Sequence, residues 1–457
     1  MSNLEIREGE YGDKVMAIEP GGIESIPEKD RHGKASSLFS TWMSPNLEFA
    51  TIYVGALGVF FGMSFWQAAI GILIGNVLGA FSQYLLTQDG PKYGVPQMVL
   101  GRAAFGKLGN ILPSIFNAGA AGIGWFAVNS VSGAFALATL TKLGNVTSLV
   151  IVVLIQVAIA FIGHNLVQTV EKYLAPYLII VFGIVAVIAL SKSHLNAHGK
   201  PFPGAFLVFV SAVYGYSAGW NPFSSDYSRY LPKSENPKKA GRAAALGLFV
   251  STTVLEIVGA AAVTAGIRDY GANTNPVADF TALLPNWLGK LFLLGIVFGS
   301  IAANVLNIYS GSMSFLTIGI KLGSSQRRAF SAILFGIAGF LLARSAMNNP
   351  ANDYENFLLV MSYWIGPWLG VVFADKWLRK GLSVERFLFA KRENIAGPIA
   401  FAVGVIISIW AFANQKFYTG VVPKHFGNVG DIAFPVGFAL SFLVYVLLAK
   451  KKVESEE

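Results

Sequence analysis

Apolar runs of roughly 18–25 residues recur along this chain, each long enough to cross the ~30 Å hydrocarbon core of a bilayer as a helix. They fall near 38–62, 65–87, 110–140, 147–165, 172–191, 203–223, 241–267, 288–318, 327–346, 354–378, 395–414 and 432–450. In lipid every backbone N–H and C=O needs a partner inside the protein, and a helix supplies one within its own segment. The expectation is an all-α polytopic membrane protein with 12 transmembrane helices, the third and eighth being the longest. Charge supports it: only 13% of residues are charged, about half the share of a soluble domain.

Lys and Arg in the loops set the orientation. With the N-terminus inside, 26 of the 34 basic residues fall in cytoplasmic segments and 8 outside. The net charge of +9 is therefore a topology signal and no sign of a nucleic-acid partner. Residues 1–36 are polar and of mixed charge, without the apolar stretch of a signal peptide, and are expected to form a flexible cytoplasmic tail; 451–457 form a second. The transporter domain is expected over 37–450, in an inner or plasma membrane. Cysteine is absent, which removes disulfides and thiolate chemistry. Gly71, Gly75 and Gly79 recur every fourth residue in the second run and predict close packing of a neighbouring helix.

Two runs contain helix breakers at related places. The first reads Trp42-Met43-Ser44-Pro45-Asn46-Leu47-Glu48-Phe49-Ala50-Thr51, and the sixth Tyr214-Gly215-Tyr216-Ser217-Ala218-Gly219-Trp220-Asn221-Pro222. Proline removes a donor and clashes with the preceding turn. Unwound backbone at membrane depth survives only where protein buries it or it lines a cavity. Breaks in the first and sixth helices fit two repeats of five helices, 37–191 and 203–378, followed by helices 11 and 12 in 395–450. Paired interruptions of this kind point to a transporter's binding site.

Glu48 is the one carboxylate that this reading places near mid-membrane, where buried charge is costly and usually functional. It could carry a proton, ligate sodium or hydrogen-bond a base. Trp125 and Asn129 share a face one turn apart on the third helix. A flat aromatic beside an amide suits a planar heterocycle, which stacks on one and pairs with the other. Asn304 and Asn307 on the eighth helix could recognise a base edge or join helices to one another. Asp226 and Arg229 read as a structural or gating ion pair at the cytoplasmic end of helix six. His194 and His198 have metal-ligand spacing but lack a third ligand, and no metal site is expected.

Several of these segments resemble the purine–cytosine permease branch of the nucleobase–cation symporter family. They are Ile18 to Glu24, Trp42 to Thr51, Gly90-Pro91-Lys92-Tyr93-Gly94, Gly124-Trp125 with Asn129, and Gly219 to Pro222 leading into Ser225-Asp226-Tyr227-Ser228-Arg229-Tyr230. The resemblance implies a LeuT-type fold of two inverted five-helix repeats plus two helices. It implies a base held by Trp125, Asn129, Trp220 and Asn307, with Ser217, Asn304, Phe49 and Ala50 nearby. It implies ion coupling around the first-helix break, at Glu48, Asn46 and Ser300. Sodium-coupled members carry two hydroxyls on helix eight, whereas Phe298-Gly299-Ser300-Ile301-Ala302-Ala303 has one. A proton is therefore favoured over sodium.

The expected activity is symport of a nucleobase or related heterocycle into the cytoplasm by alternating access, with no cofactor beyond the coupling ion H+ or Na+. The alternatives are a carrier of allantoin, another heterocycle, an amino acid or an amine on the same fold, and a receptor that binds a base without accumulating it. A membrane enzyme would need a nucleophile–base or metal constellation that the sequence does not offer. The sequence leaves the oligomeric state open.

Overall fold

The computed structural model describes residues 22–162, 164–197, 199–266, 275–319 and 324–454. Ile18 to Gly21 and His198 of the expectations above lie outside them. The described chain is helical apart from one short hairpin, Asn414–Gln415 against Tyr418–Thr419. The principal helices are α1a (Ser37–Met43), α1b (Phe49–Phe60), α2 (Phe65–Thr87), α3 (Ile111–Thr141), α4 (Asn145–Ile162), α5 (His164–Lys192) and α6 (Ala205–Ala218). They continue as α7 (Pro237–Thr264), α8 (Asn286–Thr317), α9 (Ser324–Ala346), α10 (Pro350–Arg379), α11 (Ala396–Phe412) and α12 (Ala433–Glu454). Among the described residues, 7 helices are long and apolar enough to cross a membrane, and the shorter apolar ones include α1b, α4, α9 and α11. The chain is a polytopic all-helical membrane protein.

Helix ends follow local chemistry. At the start of α2, Ser64 Oγ accepts from the Gln67 amide (3.3 Å) and Gln67 Oε1 accepts from the Ser64 amide (3.0 Å), which satisfies two otherwise orphaned donors. Asn236 caps α7 by accepting from the amides of Lys238 and Lys239, with Pro237 at the first helical position, where no donor is missed. One face of α2 presents Trp66, Ile70, Leu73, Val77 and Phe81 outward, the signature of a surface that meets lipid tails.

The opposite face of α2 carries the three glycines. A Cβ on Gly71 would meet the ring of Phe209, on Gly75 the side chain of Val213, and on Gly79 the side chain of Ser217. The glycine stripe is therefore the seat of α6. Helices α1b and α7 cross as closely: a Cβ on Gly55 would strike the backbone of Glu256, and one on Gly259 the carbonyl of Ile52. Gly55→Val is expected to force the pair apart, at an overpacking cost of about 1–3 kcal/mol or more. Thermal unfolding of detergent-purified protein checks this. Gly144→Ala, which meets nothing within 4 Å, should leave the transition where it is.

Three expectations are corrected. Residues 22–36 are not a free tail. Arg31 is buried and donates from Nη1 to the Pro91 carbonyl (2.8 Å) and from Nε to the Ile26 carbonyl (2.9 Å). The Ile26 amide donates to the Gly94 carbonyl (2.9 Å). A guanidinium with several fixed donors organises backbone carbonyls that hydropathy cannot see. The fifth helix, expected from 172, starts earlier, at His164. The segment between α2 and α3 is a packed layer of short helices, Asp89–Tyr93, Gln97–Leu100 and Arg102–Phe105, with Val95, Met98 and Val99 buried.

Candidate functional site

The break in the first helix is built by Pro45 and Asn46. Helix α1a ends at Met43, Ser44–Asn46 form a 3-10 turn, and Glu48 is extended (φ −148°, ψ 158°) before α1b begins. Asn46 holds the turn: Nδ2 donates to the Trp42 carbonyl (2.8 Å), and Oδ1 accepts from Trp220 Nε1 (2.9 Å). Its carbonyl accepts from Thr51 Oγ1 (2.6 Å), which leaves that hydroxyl to accept from Tyr216 OH. Glu48 caps α1b by accepting from the Ala50 amide, a carboxylate at the positive end of a helix dipole. It is 1% exposed and its Oε1 has no partner. From α8, Gly299 approaches the break, with a built Cβ 2.9 Å from the Leu47 carbonyl. Ser300 does not face it. Its hydroxyl donates to the Val297 carbonyl (2.9 Å) and lies against Gly133 of α3. Successive helical residues point about 100° apart, so Gly299 and Ser300 cannot both face Glu48.

Helix six breaks at Gly219, the second of its two glycines. It runs to Ala218, and Asn221–Phe223 make a 3-10 turn into the short helix Ser224–Ser228. Trp220 packs edge-on to Trp42 (5.8 Å) and Phe223 (5.6 Å). With its indole donor bound to Asn46, it ties the two breaks together. Trp125 stands at the end of a π-helical stretch, Ala120–Trp125, that no local sequence signal marks. Such wide turns recur at functional sites. Its ring meets the edges of Phe357 (4.8 Å) and Tyr216 (5.4 Å). Ser217 faces the other way, onto Gly79 of α2.

The amides form one cluster whose polarity a single carbonyl fixes. Asn304 Nδ2 donates to the Phe126 carbonyl (2.8 Å) and to Ser130 Oγ (3.0 Å). A carbonyl only accepts, so this end of Asn304 is the nitrogen and Oδ1 must be the acceptor. Asn129 Nδ2 and Asn307 Nδ2 both donate to that oxygen, each at 3.2 Å. Their own Oδ1 atoms are thereby left as acceptors, and that of Asn307 is buried without a partner. Ser130 Oγ passes its proton to Gln156 Oε1 of α4 (2.8 Å), and Gln156 Nε2 donates to the Ser300 carbonyl (3.3 Å). Asn304, expected to meet substrate, spends its hydrogen bonds on α3 and on its neighbours. It positions the other two amides.

Above this layer lies a cavity of about 370 Å³, lined in part by Phe49, Ala50, Ser132, Phe135, Tyr354 and Phe357. Of the expected substrate residues it reaches Phe49 and Ala50. Trp125, Asn129, Trp220, Ser217, Asn304 and Asn307 do not line it, and each is less than a tenth exposed. Tyr53 stacks on Tyr354 (6.0 Å, 7° between planes), and Tyr354 OH donates to the Ala50 carbonyl (3.2 Å). Sequence reasoning missed Tyr53, Tyr216, Tyr354 and Phe357, since an aromatic in an apolar helix carries no mark of which way it faces. It also missed Glu256, a second intramembrane carboxylate. Glu256 is fully buried on α7 and accepts from Asn76 Nδ2 (2.6 Å).

Asp226 and Arg229 sit at the opposite end of the bundle. Asp226 Oδ1 accepts from the Gln97 amide (2.8 Å). Arg229 is fully buried, and donates to the Gly22 carbonyl (2.9 Å), Tyr309 OH (2.7 Å) and Tyr230 OH (3.2 Å). Together they draw the N-terminal segment, the α2–α3 layer, α6 and α8 into one seal. The His194 amide donates to Thr264 Oγ1, and no group of three or more metal-ligating side chains occurs among the described residues.

Comparison with known proteins places this geometry. The family model for permeases for cytosine/purines, uracil, thiamine and allantoin matches residues 25–437. The Bacillus subtilis protein YxlA, assigned as a purine-cytosine permease, is 30% identical, with 96% of this chain and 97% of that protein covered. Purine-cytosine permease fcyB of Emericella nidulans is 29% identical over 96% of this chain and 91% of its own. Among solved structures, the nucleobase-cation-symport-1 family transporter MHP1, closed with bromovinylhydantoin bound, superposes with a TM-score of 0.73 at 16% identity, covering 95% of this chain and 96% of that one.

Proposed function

Since the chain belongs to the family of membrane permeases for cytosine/purines, uracil, thiamine and allantoin, we propose that it is a secondary symporter importing a nucleobase, with a proton as the coupling ion. The observation that carries the substrate reading is the amide cluster beside Trp125. The Phe126 carbonyl turns the oxygens of Asn129 and Asn307 into acceptors, which suit a flat ring with N–H donors on its edge. Cytosine and adenine each offer an exocyclic amine and a ring N–H. The ring stacks on Trp125 and Tyr216, with Trp220 bracing the break behind it and Phe49 and Ala50 forming the upper edge.

On this reading all twelve apolar segments cross the bilayer, as inverted repeats 37–191 and 203–378 followed by 395–450. The excess of Lys and Arg places both termini in the cytoplasm. The cavity at Phe49 and Tyr354 then opens outward, and the Arg229 seal closes the inner face. Substrate enters from the cavity once the Tyr53–Tyr354 pair parts. Asp226 and Arg229 hold the inner gate, which opens only when substrate and ion together favour the inward state. The coupling is a difference in affinity between the two states.

A proton is favoured because Ser300 turns away from the first-helix break, so that α8 presents no pair of hydroxyls to it. Glu48 instead stands buried at the break without a cationic partner among the described residues. The test is uptake of labelled cytosine by cells lacking their own base permeases, competed with adenine, hypoxanthine, uracil, allantoin and an amino-acid mixture. Uptake competed by bases, indifferent to sodium and lost with a protonophore is expected. Competition by amino acids alone would remove the nucleobase reading, and dependence on sodium would remove the proton.

A further inference from the structure

Glu256 is a carboxylate that the substrate site does not use. It lies on α7 at 0% exposure, and among the described residues no Lys, Arg or His pairs with it. Among the described residues its side-chain partner is Asn76 of α2, whose Nδ2 donates to Oε2 at 2.6 Å. The other carboxylate oxygen, Oε1, is buried without a donor, and so is Asn76 Oδ1. The pair thus holds one hydrogen bond and two unmatched acceptors. A buried acceptor without a donor costs about 1–3 kcal/mol, and a charge adds more. A single proton on Oε1 resolves both faults. The pair becomes a carboxylic acid against a primary amide, able to form two complementary hydrogen bonds, N–H to Oε2 and O–H to Oδ1.

Its surroundings link the pair to the transport site. The backbone of Glu256 itself is the surface that Gly55 of α1b packs against, so α7 and the half-helix beyond the break are in direct backbone contact. The titratable groups close enough to feel its charge are Tyr216 of α6 and Tyr354 of α10. Tyr216 bonds Thr51 and meets Trp125, and Tyr354 bonds the Ala50 carbonyl. From α2 the partner is Asn76, and Gly55 of α1b offers only backbone.

We propose that Glu256, paired with Asn76, is a proton-binding site that loads and empties during transport, distinct from Glu48 at the helix break. The proposal rests on the proton-symport reading above. Charged Glu256 faces an amide with no second donor and disfavours the tight packing of α2, α7 and α1b. Protonation completes the pair and stabilises it, so occupancy biases the position of α1b and with it the Tyr216–Thr51 contact.

The test is Glu256→Gln in the full-length protein reconstituted in liposomes. Glutamine keeps the shape, offers an N–H to Asn76 Oδ1 and so imitates the protonated state permanently. The variant is expected to fold and to exchange labelled cytosine across the membrane. It should accumulate roughly 50-fold less cytosine than wild type, the share that one proton carried through a potential of about 100 mV supports. Accumulation equal to wild type, with the same pH dependence, overturns the proposal and leaves Glu256 a packing residue. A wild type that neither exchanges nor accumulates cytosine sinks the substrate reading instead. In that case infrared difference spectra decide: a protonated-carboxyl C=O band that titrates with pH in wild type and is missing from the variant supports the site. A wild-type spectrum with no titrating band that Glu256→Gln removes refutes it.

Discussion

Trp125→Ala is expected to abolish detectable cytosine uptake while the protein stays in the membrane at its normal level. Base–aromatic stacking is worth about 1–3 kcal/mol per base, which corresponds to roughly a 5- to 150-fold loss of affinity. The indole also props apart Phe357 and Tyr216, which meet it edge-on at 4.8 and 5.4 Å. Truncation lets those rings fall into the space the base needs, so the loss should lie towards the upper end. Trp125→Phe keeps a flat surface and should retain part of the uptake. Transport assays alongside immunoblots of the membrane fraction check both. Wild-type uptake by Trp125→Ala would mean that the base binds elsewhere.

The second large effect is expected at Asn304. Its side chain makes four hydrogen bonds, to Phe126, Ser130, Asn129 and Asn307. Three of them join α8 to α3, and interhelical hydrogen bonds in membranes are worth about 0.6 kcal/mol on average and up to about 1.7, so the hub contributes ~2–5 kcal/mol. Asn304→Asp is nearly isosteric but sets an acceptor against the Phe126 carbonyl. It should therefore lower both thermal stability and uptake. Asn307→Ala removes a single bond from the hub and one free acceptor. It should abolish uptake while the unfolding transition stays close to wild type. Measuring melting and uptake on both variants separates the residue that positions from the residue that contacts. Equal behaviour of the two would contradict the division of roles.

Much of the fold was legible because lipid imposes simple rules. Pro45 with Asn46 and Gly219 with Pro222 mark the breaks through backbone chemistry that needs no partner to be recognised. Gly71, Gly75 and Gly79 mark a close helix contact, and the structure shows that α6 is the helix that fills it. The candidate site was legible only in part. Trp125, Asn129 and Asn307 stood out as polar or planar residues in apolar surroundings, and the structure gathers them beside α6 and α8. Ser300 and Ser217 were named by position along their helices, and the rotation of each helix turns them toward other neighbours. Glu256 lies close to the midpoint of the seventh run, 241–267, so its depth was legible in the sequence, and only its pairing with Asn76 needed the structure.

The sequence by itself determined the helices and their breaks, and it carries the loop-charge bias on which the proposed orientation rests. Each of these depends on residues within a turn or two of one another, or on an average over a loop. Only the tertiary structure decided which polar groups meet. Asn304 reaches the Phe126 carbonyl across 178 positions, and Glu256 reaches Asn76 across 180. A membrane helix is apolar around its whole circumference, so its sequence lacks the polar and apolar faces that tell a soluble helix which side to bury. In lipid the facing side is chosen by close packing and hydrogen bonding between helices, and both exist only once the helices are together.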